Sequence, residues 1–427
     1  MLKKHSYALG LVWLVAIFVL PMPFLYTLSS GLPAIYNRMA LPIMLGVIAY
    51  VWMLLAIYIG TKPKWLDRLI GLPHAYMLHG ILSLAALVLA FFHKEGSPSS
   101  GLIKLTGDYA FNLFLGLALY SMVFMAGWLT SRVPFLEHLK KRLERLFKHE
   151  ISVWLHRLNL LATLLIFIHV QLIDYIVAIK PFMLLFWLAS VGVAASYLWA
   201  KFKPKSEGIR ARLVGNHAIA ENIRELVIRL PEKANLQLRS GDYVFISFPH
   251  LKGMGEPHPF SLVNSPKTGD PLILAIRGDG DFTRALANIQ QPTDVYVDGG
   301  FGLYQSVIDD NQAKELMIVG GGIGVVPLLS VVEGNPDLKT QFFYTVKEGS
   351  SFIYADKFRE WDKRPQFTSH RQVGRFSDAY ILEHLPEERE NLVVLLGGPI
   401  SMGRHWQKIF KEAGLRSDQI YFEEFSW

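Results

Sequence analysis

The chain has 427 residues, 51% hydrophobic and 19% charged, with 13% aromatics and no cysteine, at a mean hydropathy of +0.27. This length suggests two or three domains, and so large an apolar excess excludes disorder and is hard to hide in soluble cores alone. Without cysteine, disulfides, cysteine-ligated zinc, iron–sulfur clusters and thiol catalysis are excluded, so any metal or redox cofactor must be held by other ligands, histidine foremost.

Up to about residue 205 the chain falls into six apolar segments of the roughly 20 residues that a ~30 Å hydrocarbon core requires. They lie near Tyr7–Leu28, Ala40–Gly60, Pro73–His93, Tyr109–Thr130, Ile151–Tyr175 and Phe182–Ala200. Pro21 and Pro23 near the end of the first, and the lack of a small-residue cleavage site, make it a retained span. The connections on one side carry fourteen basic residues: Lys3, Lys4, Lys62, Lys64, Arg68, Arg132, Lys140, Lys141, Arg142, Arg145, Lys148, Lys201, Lys203 and Lys205. Those on the other carry Arg38, Lys94, Lys104 and Lys180. The positive-inside rule then predicts a multi-pass plasma-membrane protein with both termini in the cytoplasm. The net charge of +7 is thereby largely topogenic, so the partner it implies is a lipid bilayer and not nucleic acid. Phe135, Leu139, Leu143 and Leu146 recur at helical spacing among basic residues, as in an interfacial helix.

After Lys205 come short alternating runs broken by Gly and Pro, such as Asp242–Phe248 and Leu272–Arg277, which read as strands. From about Glu315 a buried strand, Leu316–Val319, leads into a glycine turn and a helix, the pattern of an α/β domain.

His79 and His93 lie on the third span, and His156 and His169 on the fifth. At 1.5 Å per residue each pair is separated by roughly 20 Å, so each span carries one histidine near each membrane face. Spans three and five run parallel, which pairs His79 with His156 on the cytoplasmic side and His93 with His169 on the outer side. Imidazole is a good axial ligand for haem iron, and intramembrane polar residues are costly, so the pattern predicts two stacked bis-histidine haems. Fourteen residues bring a helix back to within about 40° of its starting face, whereas thirteen end about 140° away. A π-bulge or 3₁₀ turn is therefore expected between His156 and His169, or haems displaced to different sides of that helix. His74 and His149 sit at span ends, with interfacial or structural roles. Arg38, at the outer mouth, suits a haem propionate or a small anionic species.

Gly320-Gly321-Gly322-Ile323-Gly324 follows a strand and opens a helix with Pro327 in its first turn, as a dinucleotide phosphate loop does. Lys347 and Arg375 are cationic candidates for a coenzyme 2′-phosphate.

Together, the two histidine pairs on spans three and five and the later His258-Pro259-Phe260-Ser261 resemble the NADPH oxidase and ferric reductase family. The smaller bacterial oxidases are closest in layout. The resemblance implies a ferredoxin-NADP reductase-like cytosolic module, made of an antiparallel β-barrel FAD domain and an α/β nucleotide-binding domain. In it the segment His258 to Ser261 lies along the flavin, and Arg277 with Gly280-Asp281-Phe282-Thr283 is similar to the part that receives the FAD pyrophosphate. Gly397-Gly398-Pro399 with Met402 resembles a second nicotinamide-side motif. The C-terminal Trp427 resembles the aromatic that relatives stack on the flavin ring. The chain departs from the family pattern at Gly300, where a proline is usual and a looser turn is expected. It departs also at Val326, usually Thr or Ser, and Gly397, usually Cys, so a less polar and roomier nicotinamide pocket is expected.

The expected organisation is a six-helix haem-binding membrane domain over 1–205, an FAD-binding barrel over 206–310 and an NAD(P)H-binding α/β domain over 311–427. The expected cofactors are FAD, two haem b and NADPH, with NADH as the other coenzyme. The expected activity carries electrons from cytosolic NADPH to an outer acceptor, O2 giving superoxide, or, as the alternative, a ferric chelate. A transporter regulated by a nucleotide-binding module is the reading from another class. Trp427, Ser261 and Arg38 are the expected catalytic residues. No fused regulatory domain is recognised, and none of the motifs requires a regulatory subunit.

Overall fold

The computed structural model describes residues 5–124, 154–202, 208–234, 236–347 and 352–423. Trp427, His149, the Phe135–Phe147 segment and the basic residues at 3, 4, 132, 140–148, 203 and 205 lie outside these. The chain forms two compact units, one comprising Leu9–Leu66 and Leu72–Lys203, the other Asp67–Gly71 and Pro204–Glu424.

The first unit is helical. α1 (His5–Leu14) passes through a π-helical stretch, Val15–Val19, to α2 (Met22–Gly31), and a 3₁₀ turn, Ala34–Met39, leads into α3 (Ala40–Gly60). Then follow α4 (Lys64–Ile70), whose residues from Asp67 on belong to the second unit, and α5 (Leu72–Gly96), α6 (Gly101–Phe124), α7 (Asn159–Gln171), α8 (Asp174–Val177) and α9 (Lys180–Phe202). Among the described residues five helical stretches are long and apolar enough to cross a membrane: Ala8–Gly31, Ala34–Gly60, Leu72–Gly96, Gly101–Met122 and Lys180–Phe202. On α9, Leu184, Leu188 and Val191 recur on the outer surface while Phe182, Met183 and Phe186 are buried. Such an apolar exterior is the state lipid favours and water penalises.

The described part of the fifth expected span is Trp154–His156, a turn at Arg157 and Leu158, and α7. In the turn, the amides of Arg157, Leu158 and Leu160 donate to the carbonyls three residues back, at Trp154, Leu155 and Arg157. This is the tight 3₁₀ winding that the angular mismatch between His156 and His169 requires. The fourth span begins at Gly101 and not at Tyr109. Lys104, expected in a connection, lies instead in the first turns of α6, where Asp108 one turn on pairs with it at 2.5 Å and with Lys94 at 3.0 Å. The carboxylate lets the helix accommodate the charge earlier than hydropathy suggests.

The second unit holds two sheets. Strands β1 (Ile209–Ala220), β2 (Ile223–Arg229), β3 (Tyr243–Ser247), β4 (His258–Ser261), β5 (Leu272–Arg277) and β6 (Thr293–Phe301) form an antiparallel sheet in the order β4-β3-β6-β1-β2-β5. A pairing of Leu262 with Leu274 brings its two ends together. Alternating inward residues such as Leu213, Leu226, Ile228, Val244 and Val297 fill its core. The short helix α10 (Asp281–Ala285) lies between β5 and β6 in sequence, and α11 (Tyr304–Asp310) follows β6.

Strands β7 (Glu315–Gly321), β8 (Lys339–Val346), β9 (Phe367–Val373), β10 (Leu392–Gly397) and β11 (Ile420–Phe422) form a parallel sheet in the order β11-β10-β7-β8-β9. They alternate with α12 (Val326–Gly334), α13 (Ala355–Trp361), α14 (Asp378–Glu383) and α15 (Ile400–Glu412). From β7 the chain runs outward through β8 and β9, then crosses back to β10 and β11. The order therefore reverses between β7 and β10, and a doubly wound sheet binds ligands at the carboxyl ends of the strands at such a point.

Candidate functional site

In the membrane unit the four histidines meet two by two. The ring centroids of His79 and His156 lie 5.9 Å apart, and those of His93 and His169 lie 6.3 Å apart. Two axial imidazoles on one iron, with metal–nitrogen bonds of about 2 Å, put their centroids about 6.3 Å apart. Three of the rings hold a backbone carbonyl with Nδ1: His79 at Ala56 (2.8 Å), His93 at Pro42 (3.0 Å) and His169 at Ile103 (2.9 Å). A carbonyl only accepts, so Nδ1 carries the proton and the lone pair is left on Nε2, the tautomer that ligation needs. His156 places Nδ1 3.0 Å from the Ser121 hydroxyl.

Two glycines make room for the outer pair. A Cβ at Gly46 would lie 2.6 Å from His93 Nδ1, and one at Gly107 3.2 Å from His169 Cε1. Among the described residues no group of three or more His, Cys, Asp or Glu could hold a metal ion. Two ligands per site suit a metal whose other positions a macrocycle fills. Arg38 is exposed on the 3₁₀ turn that precedes α3, and His74 lies in the first turn of α5.

In the second unit the structure brings together His258, Phe260 and Phe282. The Phe282 ring lies 4.2 Å from that of His258 and is stacked on Phe260 at 6.0 Å. Ser261 ends the same strand, opposite Tyr243 in register. Gly280 caps α10, its amide donating to the Thr283 hydroxyl at 2.8 Å. Arg277, expected to meet a pyrophosphate, is half-exposed and paired with Asp279 at 2.7 Å.

At the switch point β7 ends in Gly321, Gly322 takes a φ of +55°, a 3₁₀ turn covers Gly322–Val325, and α12 follows with Pro327 in its first turn. The loop after β10 packs against it backbone to backbone. A Cβ at Gly324 would fall onto Gly398, and Met402 covers both Gly321 and Gly398. Lys347 and Arg375 are exposed and follow the neighbouring strands β8 and β9, where Val346 and Val373 are register partners.

Residues 211–322 match the family model of an FAD-binding domain. NADPH oxidase 1 of Mus musculus is 31% identical over 149 residues, which make up 31% of this chain and 24% of that protein. Dual oxidase 2 of Homo sapiens is 25% identical over 304 residues, 64% of this chain and 19% of that protein. The chain thus covers a quarter or less of the length of these oxidases. A solved cytochrome P450 reductase of Amycolatopsis superposes with a TM-score of 0.45 at 22% identity, over 51% of this chain and 69% of that one. The matches support an NADPH oxidase/ferric reductase-like family.

The three departures from that family's pattern have different consequences from those expected. A Cβ at Gly397 would fall onto the Gly324 carbonyl oxygen and lie 2.9 Å from Leu328. The missing side chain therefore lets two loops close on each other and opens no space. Val326 is 2% exposed and belongs to the apolar core, so it does not make a pocket less polar. Gly300 lies within strand β6 at a break in its register with β3, between Gly299, opposite Val244, and Phe301, opposite Tyr243. A Cβ there would fall onto Asp242 Oδ2.

That carboxylate belongs to a site the sequence reading missed, having counted Arg68 only among topogenic charges. Within the second unit the Arg68 guanidinium grips both Asp242 oxygens at 3.1 and 3.0 Å and donates to the carbonyls of Gly302 (3.2 Å) and Gln237 (3.0 Å). The carbonyl of Asp242 accepts from the Leu262 amide at 2.9 Å, directly beyond the His258 to Ser261 strand. The only sequence trace of this arrangement is the glycine at 300.

Asp67, Asp242 and Glu423 are buried together. Burial pushes the Asp242 carboxyl up to about 6 against the pull of Arg68, with Asp67 adding repulsion. Burial, then the charges of Asp67 and Asp242, push Glu423 well above the usual carboxylate range. A carboxyl whose pKa is raised on folding stabilises the fold below its unfolded pKa, and that contribution is lost as pH rises through the folded value. Asp242→Asn should therefore gain in Tm relative to the parent as pH rises from about 4 to about 7, as thermal unfolding read by flavin release will measure.

Proposed function

We propose that this protein carries electrons across a membrane, from NADPH in the cytoplasm through FAD and two b-type haems to an extracytoplasmic acceptor, with O2 giving superoxide as the leading case. The observation that carries the reading is the pairing of four intramembrane histidines at the separation of axial imidazoles. The finer architecture belongs to the same reading: six spans, a plasma-membrane location with both termini inside, and closure of the antiparallel sheet into a barrel.

His79 and His156 would hold the inner haem, His93 and His169 the outer one. FAD, when bound, would supply the conversion of a two-electron donor into single electrons, and haems held by these four histidines would supply a conducting path. The chain's own residues set the conditions. Carbonyls of Ala56, Pro42 and Ile103 hold three rings in one tautomer, which keeps Nε2 available without a proton to displace. His258, Phe260 and Phe282 offer aromatic surface for a flavin or adenine, with the Ser261 hydroxyl at the strand end. The glycine loop after β7 lets a pyrophosphate approach backbone amides at the start of α12. Lys347 and Arg375 would receive a 2′-phosphate, Arg38 an anion at the outer mouth, and Trp427 the flavin ring.

Purified protein should give a b-type reduced-minus-oxidised spectrum; its absence removes the haem reading. Replacing His93 or His169 by Ala should remove about half of that signal while NADPH still bleaches the flavin without oxygen. Gly46→Ala should perturb the outer haem signal alone. NADPH consumption with O2 or a ferric chelate as sole acceptor, followed by a dismutase-sensitive probe, decides between superoxide production and iron reduction.

Coenzyme choice is tested at the ends of β8 and β9. Lys347→Ala combined with Arg375→Ala should raise the KM for NADPH by roughly tenfold, the loss of about 1.4 kcal/mol of charge-assisted bonding, and leave that for NADH within twofold.

A further inference from the structure

Helix α12 is apolar almost throughout, with Leu328, Leu329, Val331 and Val332 buried, yet at its centre stands a fully buried serine, Ser330. A helical serine commonly bonds back to the carbonyl one turn earlier. Ser330 instead spends its hydroxyl across the boundary between the two sheets. Its Oγ donates to the Asn264 carbonyl at 2.7 Å and accepts from the Gly241 amide at 3.0 Å.

The same face of α12 continues the seam one turn on. A Cβ at Gly334 would fall onto Ser240 Oγ, which bonds Ser265 Oγ at 2.9 Å. Glu333 accepts from the Ser265 amide at 3.2 Å and from Lys357 at 2.6 Å. Apolar residues from both sides close it, Val263 and Ala275 sharing a core with Val325 and Leu329. A seam so packed is not a hinge.

What the hydroxyl joins gives it a role. Gly241 lies just before β3 and Asn264 just after β4, and these strands pair along the His258 to Ser261 segment. The helix it sits on continues from the Gly320 to Gly324 loop. One buried hydroxyl thus ties the two paired strands, at the Ser261 end of the expected flavin segment, to the element expected to carry the coenzyme. Replacing it by a methyl would leave a buried N–H and a buried C=O without a partner, and the seam would open to readmit water.

We propose that Ser330 is a positioning residue for hydride transfer, fixing the distance from coenzyme to flavin. In that step two electrons and one proton leave the nicotinamide together and the flavin takes up all three. The proposal rests on the function proposed above. It goes beyond it in assigning the geometry of the step to a residue that touches neither reactant.

The test uses full-length, FAD-loaded protein in detergent and compares Ser330→Ala with Ser330→Thr, which keeps the hydroxyl. Ser240→Ala, which weakens the seam from the other side, serves should Ser330→Ala fail to fold. In anaerobic single turnovers the limiting rate of flavin bleaching by NADPH should fall at least tenfold in Ser330→Ala, with half-saturation unchanged within threefold and recovery in Ser330→Thr. Hydrogen exchange of the Gly241 amide should rise at least tenfold while β1 and β2 stay protected. A limiting rate within twofold of the parent, alongside faster exchange at Gly241, would make Ser330 structural only and overturn the proposal. A parent whose flavin no nicotinamide coenzyme bleaches would overturn the underlying function itself, whatever the exchange result.

Discussion

The membrane half depends on where each imidazole places its one proton. In hydrocarbon a ring nitrogen has no water to bond, and a helix offers few spare acceptors because its carbonyls are engaged four residues on. The chain solves this with carbonyls that accept twice. Pro42 and Ile103, which receive His93 and His169, are each followed four residues later by a glycine, Gly46 and Gly107. There a side chain would stand where the ring now lies. Anchoring Nδ1 in this way fixes the ring plane and the tautomer together, and leaves a single basic nitrogen directed by the fold.

Close backbone approach is also the device of the soluble half, used for a different end. Gly324 and Gly397 belong to loops leaving neighbouring strands at the point where the sheet order reverses. With no Cβ on either, the loops touch and Met402 covers them. The surface these loops present is therefore backbone on a closely packed base. Gly300 serves a third purpose, admitting the Asp242 carboxylate and its Arg68 fork against strand β6.

Features governed by period and hydropathy were legible in the sequence. Long apolar helices follow from run length, the glycine turn between β7 and α12 from a glycine run between strand and helix, and the break after His156 from angular arithmetic. Features that depend on pairing partners were not. Arg68 counts as one more cation until Asp242 is found beside it, and Lys104 looks like a connection residue until Asp108 and Lys94 are seen to share its charge. The glycine at 397 was read as lost volume because a sequence records the missing side chain and not the loop that moves in. Ser330 gave no signal, since one hydroxyl in an apolar helix is more often turned back on its own backbone.

The two histidine-bearing segments reach similar ends by unequal means, and the difference follows from their spacing. On α5 the histidines are fourteen residues apart, and the carbonyls that receive them on α3, Ala56 and Pro42, are also fourteen apart. Two regular antiparallel helices in one register therefore satisfy both rings with the same kind of bond. Thirteen residues separate His156 and His169, so a regular helix would turn one ring about 140° from the other. The 3₁₀ turn at Arg157 and Leu158 interrupts that regular helix next to His156. Its Nδ1 meets side chains, the Ser121 hydroxyl at 3.0 Å and the Asn159 amide nitrogen at 3.4 Å, where the other three meet backbone carbonyls. A hydroxyl can donate or accept, whereas a carbonyl only accepts. His156 is thus the one ring of the four with no carbonyl at Nδ1 to hold the proton there.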